Sequence, residues 1–222
     1  GIGGVGSWAV EALARSGIGK LTLVDADDLC VSNTNRQLPA LDGQYGRAKI
    51  EAMAERCRAI NPDADIEAVE SFLTGSNMAE LLDRGFDLVI DACDSFRVKV
   101  EMIAWCRRRK LPIVIAGAAG GQIDPTQIRV SDLSQTVQDP LLAKVRSTLR
   151  RDHGFPRDPR KKFGVSAVYS TEPLRYPKND AACDAERGPA GLNCAGFGSS
   201  VCVTSVFGMA AAAQVINLIS QA

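Results

Sequence analysis

The chain has 222 residues, 26 basic and 26 acidic side chains, and 45% hydrophobic residues. This length and apolar content exclude a mostly disordered chain and are sufficient for one domain with a buried core. The zero formal charge excludes a chain that binds nucleic acid through an overall positive charge. Seven cysteines, an odd number in a chain of this length, do not indicate a disulfide framework. We therefore expect a reducing, cytoplasmic setting.

Short apolar runs alternate with helical patterns along the chain, which predicts parallel β-α-β units in a single domain spanning residues 1–222. Strands are predicted over residues 20–25, 66–69, 86–91, 112–116 and 165–170, with an antiparallel or edge strand over 126–130. Helices are predicted over residues 6–16, 47–60, 77–83, 97–109 and 140–151, and loops over 26–43, 153–162 and 180–192.

The C-terminal segment has no charged residue after Arg187, and residues 194–219 are rich in Ala, Gly, Ser and Val. This composition is typical of a membrane span, and membrane association is one interpretation. The segment also contains polar residues and has no aromatic belt or basic flank, which favours tightly packed helices in a core or subunit interface. We therefore expect a homodimer that uses this segment.

A glycine-rich turn, Gly1-x-Gly3-x-x-Gly6, leads into the first predicted helix. This spacing is typical of nucleotide-binding turns, where backbone N–H groups approach phosphates at a helix N-terminus. Asp25 ends the following strand, where an acidic side chain binds a ribose hydroxyl. The pattern predicts a Rossmann-like α/β fold with a mostly parallel central sheet flanked by helices and antiparallel strands toward the C-terminal half. Such folds have a strand before the first glycine, so we expect one upstream of Gly1.

The turn and Asp25 suit a nicotinamide dehydrogenase equally well, and the residues that follow separate the two interpretations. They are Asp27, the segment Ser-Asn-Thr-Asn-Arg-Gln at 32–37, and Gly-Arg-Ala-Lys at 46–49. Adenylation of a carboxylate requires cations of this kind, because negative charge develops at the α-phosphate of ATP. Asp94 follows the predicted strand 86–91 and lies where a carboxylate binds magnesium at the edge of the sheet.

As a set, these motifs resemble the ubiquitin-activating-enzyme-like superfamily of adenylating enzymes, of the ThiF and MoeB type. The resemblance implies a dimeric enzyme that uses ATP and magnesium. It implies catalytic roles for Arg36, Lys49 and Asp94, with magnesium on Asp94. The residues implied to bind ATP are Gly1, Gly3, Gly4, Gly6, Asp25, Asp27, Asn33, Arg36, Lys49 and Asp94.

Three further segments, residues 116–125, 168–173 and 193–198, resemble one branch of this superfamily, which dehydrates threonylcarbamoyladenosine in tRNA. That resemblance implies that ATP activates the substrate carboxylate, that a ring closes, and that AMP and pyrophosphate are released. It makes a cysteine desulfurase a candidate partner and a monovalent cation a candidate cofactor. Two alternatives stay open: adenylation of the C-terminal carboxylate of a sulfur-carrier or ubiquitin-like protein, and a non-catalytic nucleotide-binding partner in a sulfur-transfer system.

Cysteine spacing bears on these alternatives. Many relatives that activate carrier proteins hold zinc in two Cys-x-x-Cys pairs, and this sequence contains no such pair, so we expect no zinc. Cys194 is a candidate nucleophile that would accept the acyl group as a thioester. The alternative, which we favour because no histidine is near in sequence, is a small buried residue. We expect five others to lie in the core: Cys30, Cys57, Cys93, Cys106 and Cys202.

Basic side chains are concentrated in residues 144–162, although the chain as a whole is neutral. Such a patch gives salt-dependent contacts to phosphates, and a solvated helix face is the alternative interpretation. The candidates for contact with tRNA are Arg150, Arg151, Arg157, Arg160, Lys161 and Lys162.

Overall fold

The computed structural model describes residues 1–175 and 198–221, and in these residues helices and strands alternate along most of the chain. The alternation confirms the α/β class expected from the sequence. The bounds in chain order are α1 Gly6–Arg15, β1 Lys20–Asp25, α2 Lys49–Ile60, β2 Asp65–Glu70, α3 Met78–Leu82, β3 Val89–Asp91, α4 Phe96–Arg109, β4 Ile113–Ala116, β5 Ile128–Asp132, α5 Pro140–Asp152, β6 Ser166–Ser170 and α6 Val201–Ser220.

The strands within the described residues form two sheets. One pairs β1 with β2 in parallel, with Lys20 opposite Asp65. The other has the order β3-β4-β6-β5, in which β3, β4 and β6 are parallel. β5 is antiparallel to β6, with Val130 opposite Val168. The Rossmann-like arrangement and the antiparallel strand toward the C-terminal half are both confirmed.

Three elements begin two or three residues later than the sequence-based prediction, each for a local reason. α2 begins at Lys49 rather than at residue 47, because the Lys49 N–H donates to the Asp27 carbonyl oxygen at 3.0 Å. β3 begins at Val89 rather than at residue 86, because its partner β4 begins opposite it at Ile113. β5 begins at Ile128 because the Asp124 carboxylate caps a 3₁₀ turn over Pro125–Gln127.

The C-terminal helix α6 packs closely along α1. A Cβ atom at Gly208 would lie only 2.6 Å from the Val5 carbonyl oxygen, so this approach of the two backbones requires glycine. Phe207, Ala211 and Val215 are buried in the cluster that includes residues of α1 and β4. With 20 residues, most of them apolar and none charged, α6 is also long and apolar enough to cross a membrane. Core helices of soluble proteins pass the same test.

A cavity of about 1050 Å³ lies between β1 and β3, bordered by α1 and by the segments that follow the two strands. Its lining includes the glycine turn, Asp25 at the end of β1, Asp94 after β3, and residues 117–120 after β4. The carboxyl ends of three parallel strands therefore meet at one cavity, which is where open α/β sheets bind ligands. The strand expected upstream of Gly1 stays a prediction.

Candidate nucleotide-binding site

The glycine turn folds onto the end of β1. The Gly1 amino group donates to the Val24 carbonyl oxygen at 3.0 Å, and the Ile2 N–H donates to Asp25 Oδ2 at 2.6 Å. A Cβ at Gly6 would overlap the Gly1 carbonyl oxygen, so the tight turn requires glycine there. Gly3 and Gly4 also line the cavity. The start of α1 thus faces the cavity, where its N–H groups and dipole favour an anion.

Asp25 joins the glycine turn to the loop after β1. Its Oδ2 accepts the Ile2 N–H, and its Oδ1 accepts the Asp27 N–H at 2.9 Å. Each carboxylate oxygen therefore keeps one further lone pair for a ligand hydroxyl. Asp25 borders the cavity, as its predicted contact with a ribose requires.

Lys49 and Asp27 form an ion pair at the cavity wall. Lys49 Nζ lies 2.7 Å from Asp27 Oδ2. The Lys49 side chain is 7% exposed, whereas that of Asp27 is 54% exposed. The ammonium group is thus held at the wall by a carboxylate that is itself in solvent. This arrangement orients the Lys49 ammonium group at the cavity wall, where it is available to a phosphate.

Arg36 and Asn33 belong to one compact loop that begins with a 3₁₀ turn. Arg36 Nη1 donates to the Ser32 carbonyl oxygen at 2.8 Å and to Asn35 Oδ1 at 3.0 Å, both neutral acceptors. Asn33 Oδ1 accepts the Cys30 N–H at 3.0 Å, so its NH₂ group is the part available to a ligand. Both residues line the cavity. The structure thus brings the predicted loop residues to the same wall as Lys49 and the glycine turn.

Two polar side chains at the cavity were missed by sequence reasoning. Gln37 and Thr204 are 6% and 3% exposed. Gln37 Oε1 and Thr204 Oγ1 are buried and have no hydrogen-bond partner among the described residues. Buried polar atoms are normally paired, so two unpaired atoms at one wall indicate a place for a polar ligand. Only Gln37 had a sequence signal, as the last residue of the segment 32–37.

Asp94 lies at the exposed edge of the cavity, and a buried ion pair lies behind it. Asp91 and Lys99 are fully buried, with Lys99 Nζ 2.8 Å from Asp91 Oδ2. Burial opposes the charge of Lys99, but the attraction of Asp91 outweighs it and the pKa of Lys99 lies above its usual value. Asp91 Oδ1 also accepts the Cys93 N–H at 3.0 Å. The segment that carries Asp94 is therefore fixed to the interior by Asp91.

A magnesium ion at Asp94 would need ligands from outside the protein. Within residues 1–175 and 198–221, no group of three His, Cys, Asp or Glu side chains could hold a metal ion. Magnesium in nucleotide sites is commonly bound by one or two carboxylates together with phosphate oxygens and water. The donor set at Asp94 fits that arrangement.

Two segments that resemble the tRNA-modifying branch meet beside the cavity. Glu172, 3% exposed, accepts the Ile123 and Asp124 N–H groups through Oε2 at 2.9 and 2.8 Å. The Ala118 N–H donates to Asp139 Oδ2 at 2.8 Å, which ties the loop after β4 to the start of α5. Residues 116–125 and 168–173 thus contact each other, and 117–120 of the first segment line the cavity, while 193–197 lie outside the described residues.

The cysteines differ from the expectation of a common core position. Cys57 and Cys106 are buried and Cys93 is half-buried, but Cys30 and Cys202 are exposed, so the prediction was wrong for these two. Cys30 lies in the polar loop after β1, and Cys202 lies in the first turn of α6, before that helix enters the core. Cys194 lies outside the described residues.

Burial raises the pKa of the buried thiols. The pKa of Cys57 rises to about 11, and those of Cys93 and Cys106 rise to about 12, with the charge of Asp91 contributing to the last two. A thiolate is the nucleophilic form of cysteine, and these three thiols stay protonated near neutral pH. None of the three is suited to act as a nucleophile.

The predicted tRNA contacts lie on α5 and the loop after it. Arg150, Arg151 and Arg157 border a single depression. Arg160 pairs instead with Asp158, its Nη2 lying 3.1 Å from Asp158 Oδ2. The remaining two candidates, Lys161 and Lys162, are exposed.

The sequence and the fold are similar to those of known proteins. The ThiF family profile matches residues 1–222. The tRNA threonylcarbamoyladenosine dehydratase of Haemophilus influenzae is 51% identical over 218 residues, which cover 98% of this chain and 82% of that protein. Crystal structures of the Escherichia coli tRNA N6-threonylcarbamoyladenosine dehydratase in complex with ATP and with AMP each superpose with a TM-score of 0.88 at 49% identity. Each superposition covers 100% of this chain and 84% of the E. coli chain.

The family match spans the whole chain, and the alignment with the H. influenzae relative covers 98% of it. The chain therefore belongs to the ThiF family, and within it to the tRNA threonylcarbamoyladenosine dehydratases.

Proposed function

We propose that this chain is an ATP-dependent enzyme that converts threonylcarbamoyladenosine in tRNA to its cyclic form. The observation that carries the proposal is the convergence of the glycine turn, Arg36, Lys49 and Asp94 on one cavity. The carboxyl ends of β1 and β3 and the loop after β4 border this cavity, which is the usual place for a nucleotide in such folds. The named relatives and the ATP complex of the E. coli enzyme support the same conclusion.

ATP is bound through groups that favour anions. The N–H groups at the start of α1 and the side chains of Asn33, Arg36 and Lys49 contact its phosphates. Asp25 accepts a ribose hydroxyl, and Asp27 keeps Lys49 oriented. The unpaired Gln37 Oε1 and Thr204 Oγ1 provide further polar contacts. Asp94 holds a magnesium ion, which neutralises phosphate charge when it is bound.

The reaction begins with attack of the substrate carboxylate on the α-phosphate of ATP, which forms an acyl adenylate and expels pyrophosphate. A nitrogen of the carbamoyl group then attacks the acyl carbon and loses its proton. The bond to AMP breaks, and AMP leaves with the former carboxylate oxygen, so the nucleoside has lost the elements of water. Arg36 and Lys49 act in the first step, because negative charge develops at the α-phosphate there. The product is a cyclic, hydantoin-type nucleoside, and the enzyme is of the ligase type.

The wider assignments rest on the resemblance and on composition. Residues 1–222 form one ThiF-type domain, and the enzyme is cytoplasmic and binds tRNA through basic residues of α5 and the following loop. The enzyme is a homodimer. The exposed apolar side chains of Val201, Met209 and Ile219 on α6 support this assignment, and light scattering would measure the mass of the assembly. Transfer of the acyl group to Cys194, a monovalent cation, a cysteine desulfurase partner and the absence of zinc stay predictions.

The test uses tRNA that carries threonylcarbamoyladenosine, together with ATP and magnesium. Mass spectrometry of the digested nucleosides is expected to show a species lighter by one water that depends on ATP. Asp94→Asn is expected to abolish it, while the matched change Asp63→Asn, at an exposed residue after α2, leaves it unchanged. No such species from protein that binds ATP would overturn the proposal.

The adenylation of a carrier protein is distinguished by a second assay. ATP–pyrophosphate exchange reports adenylate formation whatever the acceptor is. Exchange that requires the modified tRNA supports the tRNA substrate. Exchange that requires a small protein with a C-terminal glycine, and that does not depend on tRNA, would favour the carrier alternative instead.

A further inference from the structure

A depression of about 300 Å³ on α5 is lined by four arginines. Helical residues spaced by three and four positions share one face, and this face is continued by the loop after the helix. Arg157 comes from that loop. No carboxylate belongs to the lining, which consists of Ala143, Arg146, Ser147, Arg150, Arg151 and Arg157.

Two of these arginines are held in place by neutral groups. Arg146 Nη1 donates to Thr136 Oγ1. Arg150 Nε donates to the Pro156 carbonyl oxygen at 3.2 Å, and its guanidinium carbon lies 5.1 Å from the centre of the Phe163 ring. Neither pairs with a carboxylate among the described residues, in contrast to Arg151, whose Nε lies 2.7 Å from Asp152 Oδ1. Their side chains are thus oriented, while neither guanidinium group forms an ion pair with a carboxylate.

The charges in the depression destabilise one another in the absence of an anion. Burial lowers the pKa of Arg146 and the neighbouring charge of Arg150 lowers it further, and together they outweigh the opposite effect of Asp139. A phosphodiester placed between the guanidinium groups would remove this repulsion. Arginine suits that role because its planar fork matches the geometry of phosphate oxygens.

The depression lies within reach of a substrate bound in the cavity. Leu141, in the first turn of α5, lines the cavity, and Arg150 lies nine residues further along the same helix. At the rise of an α-helix this separation is about 14 Å. The start of α5 is fixed to the cavity wall by Asp139, whose carboxylate accepts the Ala118 N–H. A polyanion whose reacting group lies in the cavity would therefore extend over this face of the helix.

We propose that Arg146, Arg150 and Arg157 form a site for a backbone phosphodiester of the tRNA substrate. The inference rests on the proposed function and makes it more specific, since it assigns one phosphate contact to a built depression rather than to a diffuse basic surface. Arg160, which is neutralised by Asp158, is outside this site.

The test compares Arg150→Gln and Arg157→Gln with Arg108→Gln, an equal loss of charge at an exposed residue of α4. Each pocket variant is expected to raise the KM for tRNA about tenfold, as for one charged hydrogen bond. The KM for ATP and the kcat at saturating tRNA stay within about twofold of wild type. The slope of the logarithm of the tRNA binding constant against the logarithm of the salt concentration falls by the amount that corresponds to about one phosphate contact. Arg150→Lys, which keeps the charge but not the fork, recovers part of the loss.

The result that would overturn the proposal is an equal rise in the KM for tRNA with Arg108→Gln, or no rise with either pocket variant. Fluorescence anisotropy with labelled tRNA and no ATP measures the site independently of turnover. If Arg150→Gln weakens this binding but wild type forms no cyclic nucleoside, the phosphate site stands and the proposed reaction fails. Unchanged melting temperatures show that the variants fold.

Discussion

Two lysine–aspartate pairs near the cavity have almost the same geometry, but the carboxylate is exposed in one and buried in the other. Lys49 Nζ lies 2.7 Å from Asp27, whose side chain is 54% exposed, and Lys99 Nζ lies 2.8 Å from Asp91, which is fully buried. Ion pairs in solvent are worth little in stability, whereas removal of one partner of a buried pair leaves a charge that nothing compensates. We infer that the first pair serves the ligand and the second fixes the segment that carries Asp94.

The largest effect on stability is expected from Lys99→Met. The change leaves Asp91 buried without its partner, which costs about 3–5 kcal/mol of the free energy of unfolding. Denaturation by urea measures this loss. The double change Lys99→Met with Asp91→Leu is expected to recover most of it, because neither charge is then buried. A loss below about 1 kcal/mol for the single change would contradict the interpretation of the pair as a structural element.

The largest effect on activity is expected from Lys49→Ala. Removal of a cation that acts at the reacting phosphate lowers kcat by about 100-fold to 1000-fold. The free energy of unfolding changes by less than about 1 kcal/mol, because Asp27 is left in solvent. Steady-state kinetics and urea denaturation of the same protein give both values. A kcat of Lys49→Ala equal to that of an Arg108→Ala control would contradict the assigned role of Lys49 at the reacting phosphate.

Glu11 provides an intermediate case, since it is buried but its arginine partners are partly exposed. Its oxygens lie 2.6 Å from Arg56 Nε and 2.7 Å from Arg15 Nε. Burial alone would raise the pKa of Glu11, but its hydrogen bonds with Arg56 and Arg15 outweigh burial and lower it. The stabilisation that the Glu11 carboxylate provides is therefore present above the pKa that Glu11 has in the unfolded chain. It is lost as the pH falls through the lower pKa of Glu11 in the folded protein.

Glu11→Gln is accordingly expected to lower the free energy of unfolding by about 2 kcal/mol at pH 7, as for hydrogen bonds to a charged group. The difference from wild type narrows as the pH falls below about 4.5, where the unfolded carboxylate takes up a proton. Thermal unfolding between pH 3 and pH 7 measures the difference as a shift in melting temperature. A constant difference across this range would contradict the assigned role of the charge.

The smallest effect is expected at the pair between Lys20 and Asp65, the first residues of β1 and β2. Their side chains are 65% and 63% exposed, and the atoms lie 2.8 Å apart. Asp65→Asn is expected to give no measurable change in melting temperature at either low or high salt, because solvent screens such pairs. A clear drop in melting temperature at low salt would show that the distance between the charged atoms, rather than their burial, determines how much such ion pairs contribute to stability.

Local patterns in the sequence were sufficient for the α/β class, most of the elements and the residues of the glycine turn. Strand ends also indicated Asp25 and Asp94, and the resemblance to adenylating enzymes implied Asn33, Arg36 and Lys49. The structure places all five at one cavity. This was possible because a glycine turn, a strand end and a polar loop are each specified by neighbouring residues. Element ends were less certain, since contacts such as that between Lys49 and Asp27 determine where a helix begins.

Tertiary structure alone decided the contacts between residues whose local sequence carries no signal. Thr204 looked like any residue of an apolar helix, yet its hydroxyl lies unpaired at the cavity. Cys202 belonged to the same apolar segment and is exposed. Arg157, in an irregular loop, closes a depression whose other arginines lie on a helix. The physical reason is common to all three: periodicity and spacing determine the elements, whereas burial and pairing depend on which surfaces pack together.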